Sequence, residues 1–288
     1  MKHLPALAVV LTLLAAVGPA VAANPIAIVA AENFYGDVAA QIGGSDVRVT
    51  SILAKPGQDP HLFEASASAA RAVSTAQIVI YSGIDYDPWM PRLLGAAPSA
   101  DRRVIVVADV IGRKIGDNPH IWYDPATMLA LAETLTEQLS AADAAHRADY
   151  SGRFARFRQS LAPVLARIAA LRRRLAGTAV TATEPVFGYM FDVLGMRVEN
   201  LSFQTAVMNG TEPSATSVAA FEDSLKTRRV GLLVYNRQVS DPLAERMVAL
   251  ARSADIPVVG VTETEPPHTS YQDWMMSVLD AVDHALRR

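Results

Sequence analysis

The 288-residue sequence has no cysteine. That absence excludes disulfides, thiolate ligands to a metal and a lipid-bearing cysteine at a processed N-terminus. Charge is sparse and nearly balanced, with 19% of residues Asp, Glu, Lys or Arg and a formal net charge of −3. Without a basic surplus there is no electrostatic footprint for nucleic acid. The chain also lacks a Gly-x-Ser-x-Gly elbow, a Gly-x-Gly-x-x-Gly loop, a Gly-Lys-Ser/Thr phosphate loop and a His-Glu-x-x-His helix. Nucleotide chemistry and the common hydrolase arrangements therefore leave no mark here.

What is present begins with a leader. Met1-Lys2-His3 precedes the apolar run Leu4 to Val17, and Ala20-Val21-Ala22-Ala23 follows. Residues 1–23 read as a secretory signal peptide, cut after Ala22 or Ala23. The apolar run is shorter than the ~20 residues that a bilayer span needs, and no basic stop-transfer cluster follows it. The expected product is a periplasmic protein, not lipid-anchored, and loss of Lys2 makes it one charge more negative. The remaining length suits two domains.

The stretch from Ala144 to Ala176 organises the rest. Tyr150, Phe154, Phe157, Leu161, Leu165, Ile168, Leu171 and Leu175 recur at three- and four-residue intervals among arginines, the pattern of a long amphipathic helix. Such a helix spans about 45 to 50 Å at 1.5 Å per residue. It reads as a spine at 144–176 between lobes at 24–143 and 177–288, kinked at Pro163 and ended by Gly177. On either side, short apolar strands alternate with helices, which predicts α/β architecture with one parallel sheet in each lobe.

Ligands of open parallel sheets bind beyond the carboxyl ends of the strands. Four such ends carry residues suited to a cation. Asp59-Pro60-His61 follows the second strand and Asn118-Pro119-His120 the fourth; Glu184-Pro185 follows the first strand of the second lobe, and Thr262-Glu263-Thr264-Glu265 its last. Two imidazoles facing two carboxylates would neutralise and hold a divalent metal in the interlobe cleft. His61, His120, Glu184 and Glu263 are the candidate ligands, with Glu265 the competitor to Glu263. Glu64 and Asp124 read as helix caps or supports of the neighbouring histidines.

These segments resemble the metal-specific solute-binding proteins of bacterial ABC importers, the zinc and manganese branch called cluster 9 or adhesin-like. The likeness covers the whole mature chain and includes Asp59-Pro-His61, Asn118-Pro-His120-Ile-Trp122, Glu184-Pro-Val-Phe187-Gly-Tyr189, Glu212-Pro-Ser214 and the spine. It implies a helical-backbone type periplasmic binding protein in which His61 and His120 are ligands. The third position in that family is His or Glu, here Glu184. The fourth is usually Asp in a Thr-Asp-Ser context, from which Thr262-Glu263-Thr264 departs by one methylene.

The cargo implied is one divalent ion, manganese or zinc, with iron(II) also accommodated. Two histidines with two carboxylates make a harder site than three histidines, and the short segment from Asp109 to Asn118 holds no His-rich insertion. Both features lean towards manganese. The expected partners are a membrane permease and its ATPase, and the expected state is a monomer that does no chemistry on the ion. Small domain motion is expected, because a helix linking the lobes restrains the hinge. Two rival readings remain open. One is a binding protein for haem or a metal chelate, for which Trp89, Trp122 and Tyr189 are the aromatic candidates. The other is a periplasmic metallohydrolase with Glu265 as base.

Overall fold

The computed structural model describes residues 24–55 and 63–287. The leader expected at 1–23 and the loop carrying His61 lie outside the described residues. The first half runs β1 (Ile26–Glu32), α1 (Asn33–Gly43), β2 (Val47–Leu53), α2 (Ala67–Thr75), β3 (Ile78–Tyr81), α3 (Trp89–Ala96), β4 (Arg103–Val106), the single turn α4 (Val107–Val110) and α5 (Pro125–Ala142). Then α6 (Arg147–Ser160) and α7 (Ala162–Leu175) cross to the second half. That half runs β5 (Ala179–Ala182), α8 (Gly188–Val193), β6 (Arg197–Val198), α9 (Leu201–Met208), α10 (Ala215–Lys226), β7 (Leu233–Asn236), α11 (Pro242–Ser253), β8 (Val258–Val261) and α12 (Tyr271–Ala285).

Each half forms a four-stranded sheet, ordered β2-β1-β3-β4 in one and β6-β5-β7-β8 in the other. Every pairing is parallel. The order reverses direction beside β1 and beside β5, and the crevices at those switch points are where such sheets bind ligands. Helix starts follow local chemistry. Ser66, Asp124, Ser214, Asp241 and Ser270 each cap a helix by accepting a backbone N–H, and Asp124 and Asp241 are followed by proline at the first helical position.

The spine is α6 and α7 in succession, meeting at Leu161, two residues ahead of the expected kink. Pro163 is the second residue of α7, where its missing donor is tolerated. The buried stripe runs Tyr150, Phe157, Leu161, Val164, Ile168, Leu171, Leu175. Val164 takes the place expected for Leu165, which is 47% exposed. From Leu161 onward this is an uninterrupted three-four repeat, the geometry a helix face requires.

The edge strand of the second sheet is short. The strand stops at Val198; Asn200 adopts a left-handed backbone (φ 61°), and Leu201 opens α9. A single apolar cluster joins the inner faces of both sheets through α7 and α12. Aromatic rings bridge the halves: Phe34 meets Trp274 at 6.0 Å, and Tyr123 meets Phe187 at 5.1 Å and Trp274 at 5.4 Å. Such ring contacts add to area burial in holding the two halves together. No helix among the described residues is long and apolar enough to cross a membrane.

Candidate metal centre

The segment after β4 presents His120 through a small network centred on Asn118. Asn118 Oδ1 accepts the His120 backbone N–H at 3.1 Å and lies 2.7 Å from His120 Nδ1, while Asn118 Nδ2 donates to the Pro185 carbonyl at 2.7 Å. The amide orientation is fixed by the backbone groups on its two sides. Its oxygen therefore takes the hydrogen of Nδ1, and the lone pair of Nε2 points into the cleft. Tyr189 Oη donates to the Asn118 carbonyl at 2.8 Å. At Gly188 an added Cβ would stand 2.6 Å from Asn118 Nδ2, so glycine is what lets the two loops approach.

His120 Nε2 faces Glu263 Oε2 at 3.5 Å, both side chains fully buried. With the hydrogen on Nδ1, two electron-pair donors point at one another away from water. A cation between them fits that arrangement. Glu263 is further held from three sides. Tyr86 Oη donates to its Oε2 at 2.9 Å, Asn236 Nδ2 donates to its Oε1 at 2.5 Å, and its backbone N–H donates to Gln238 Oε1. Burial, and then the Glu263 charge, push the Tyr86 phenol well above its ordinary value, so it stays a donor.

Glu184, buried where β5 gives way to the turn at Pro185, accepts a hydrogen bond of 2.7 Å from the same Asn236 nitrogen. Thus His120 meets Glu263, and Asn236 joins Glu263 to Glu184. Among the described residues, no group of three or more His, Asp or Glu side chains is arranged to hold a metal ion. Glu265 turns elsewhere. Its carboxyl is raised to about 9 by burial and by Asp37 and Asp273, so it is a neutral acid at neutral pH. Its backbone N–H and carbonyl both bond the side chain of Asn33.

Asp124 caps α5, as expected, and Glu64 is exposed. Of the aromatic residues considered for a larger ligand, Trp122 is buried among Phe34, Tyr86 and Tyr123, and Tyr189 is spent on Asn118. Sequence reasoning passed over Tyr86, Asn236 and Gln238. Tyr86 follows β3 and Asn236 closes β7, the strands beside the switch points. A polar residue closing an apolar strand, as in Leu233-Val-Tyr-Asn236, was the available signal.

A second buried acidic pair lies behind Tyr86. Glu32, at the end of β1, is pushed well above its ordinary value by burial and then by the Asp87 charge. Asp87 is raised to about 7 by burial, although it accepts the backbone N–H groups of Ser82 at 2.6 Å and Gly83 at 2.9 Å. Both acids thus hold protons more tightly than free carboxyls do, and Asp87 holds the turn after β3.

The family model described as zinc-uptake complex component A, periplasmic, matches residues 28–285. The manganese-binding lipoprotein MntA of Bacillus subtilis is 28% identical over 126 residues, 41% of this chain and 41% of that protein. The zinc-binding lipoprotein AdcA of Streptococcus pneumoniae is 21% identical over 232 residues, 72% of this chain and 44% of that protein. The chain thus spans less than half the length of either relative. Among solved structures, the periplasmic zinc-binding protein TroA of Treponema pallidum superposes with a TM-score of 0.76 at 18% identity, over 92% of this chain and all of that one. The shared architecture is two parallel-sheet α/β lobes on a helical spine.

Proposed function

We propose a function from one premise: the chain belongs to the family of periplasmic zinc-uptake complex component A proteins. The protein captures one divalent transition-metal ion, zinc or manganese with iron(II) also accommodated, between its lobes and delivers it to the permease and ATPase of an ABC importer. It is a carrier, acts as a monomer and leaves the ion chemically unchanged. His61, His120, Glu184 and Glu263 are its ligands. Residues 24–143 and 177–288 form the lobes, and 144–176 the spine. With no cysteine to carry a lipid, the protein works free in the periplasm, unlike relatives named as lipoproteins.

The observation that carries this reading is the buried approach of His120 Nε2 to Glu263 Oε2, with Glu184 joined to Glu263 through Asn236. A divalent cation beside two buried carboxylates compensates their charge. The neutral Glu265 is the poorer ligand, because binding there must first remove a proton. The test is metal content and zinc or manganese titration of protein isolated without chelators. One equivalent is expected in the wild type, with loss of tight binding in His61→Ala, His120→Ala and Glu263→Ala and retention in Glu265→Ala. Retention in Glu263→Ala with loss in Glu265→Ala would reassign the fourth ligand.

A further inference from the structure

Two buried carboxylates share one amide group here. Asn236 Nδ2 donates to Glu184 Oε2 at 2.7 Å and to Glu263 Oε1 at 2.5 Å, and the residue is itself 5% exposed. The arrangement follows from strand order. β7 lies between β5 and β8, with Val234 paired to Ala182 and Asn236 to Val261. Two residues beyond those partners come Glu184 and Glu263, so the strand between them ends in a group that reaches both.

The orientation of the amide is set by its other side. Asn236 Oδ1 accepts the Gln238 backbone N–H at 3.0 Å, which leaves Nδ2, with its two hydrogens, for the two carboxylates. Gln238 in turn holds the Glu263 loop, its Oε1 accepting the N–H of Thr264 at 3.1 Å as well as that of Glu263. A carboxylate with one oxygen committed to an amide offers a cation chiefly the other, which on Glu263 is the oxygen that also accepts from Tyr86. Without that commitment it can chelate through both.

We propose that Asn236 is a positioning and specificity-determining residue that holds Glu184 and Glu263 to one-oxygen ligation. It thereby favours an ion of low coordination number, such as zinc, over one that takes six or more donors, such as manganese. The inference rests on the proposed metal-capture function, and it works against the leaning towards manganese that ligand types alone suggest.

The test compares full-length mature wild type with Asn236→Leu and Asn236→Asp, each loaded with cobalt(II) and each titrated with zinc and with manganese. Four-coordinate cobalt(II) absorbs strongly in the visible and six-coordinate cobalt(II) weakly. Wild type is expected to show the strong band, and both variants a weakened one. Their zinc affinity should fall by roughly 10- to 100-fold, the usual range for loss of a group that orients a ligand. Their manganese affinity should fall less. An unchanged band with equal losses for both metals would reduce Asn236 to a structural support and overturn the proposal, as would a weak band in the wild type. Thermal unfolding of the metal-free variants checks folding. Should the Leu variant not fold, the Asp variant, which keeps the shape and removes the donors, decides. A wild type that binds none of the three metals would overturn the capture function itself, whereas metal-binding wild type and indistinguishable variants would remove only the role of Asn236.

Discussion

His120 reaches the cleft with its lone pair already aimed, because Asn118 is gripped by backbone on both sides and passes that orientation to the ring. Asn118→Ala should therefore cost roughly 10- to 100-fold in zinc affinity, read by competition with a chromophoric chelator. Wild-type affinity in that variant would mean the ring is oriented by its packing alone. The buried acids behind Tyr86 make a prediction about pH. Glu32 and Asp87 both have folded values above their unfolded ones, so the folded protein binds more protons than the unfolded chain. Their contribution to stability is full below about pH 4 and declines as pH rises, that of Asp87 through about 7. Glu32→Gln keeps the shape and removes one titration. Its melting temperature should fall less than that of wild type between about pH 5 and pH 8, and parallel slopes would exclude Glu32 as a source.

At the level of elements, α1 does more than cover its sheet. Asn33, Asp37 and Gln41, four residues apart on one face, each hold the segment that follows β8. Asn33 brackets the backbone of Glu265, Asp37 accepts the Tyr271 N–H at 3.0 Å, and Gln41 exchanges amide bonds with Gln272. Tyr123 adds a bond to the Thr262 carbonyl at 2.7 Å. The loop carrying Glu263 is thus fastened to the first half of the molecule as well as to its own sheet. Asn33→Ala leaves two buried backbone groups without their partner, at a cost of about 1 to 3 kcal/mol in urea unfolding. Hydrogen exchange across residues 262–272 should quicken in that variant, and unchanged protection would show that the clasp is not limiting.

For the whole molecule, the continuous apolar core and the bonds across the cleft resist wide opening. Metal loading is expected to leave the low-angle X-ray scattering curve nearly unchanged while raising stability. Zinc at 100 times its dissociation constant should add about 2.7 kcal/mol to unfolding. A large fall in radius of gyration on loading would instead indicate hinge closure.

Alternation of apolar strands with capped helices is a local property, so the two α/β halves and most element boundaries were legible in the sequence. So were His120, Glu184 and Glu263 as candidates, since proline-bearing loops after apolar strands mark strand ends directly. What the sequence did not determine depends on groups distant along the chain. Val164 rather than Leu165 faces the core because the junction at Leu161 sets the phase of α7. Strand order places Asn236 between Glu184 and Glu263, and no residue near Asn236 in the chain announces either carboxylate. Glu263 and Glu265 stand two residues apart with nothing local to separate them. Only packing decided that one meets His120, Tyr86 and Asn236, while the other is buried as a neutral acid beside Asp37.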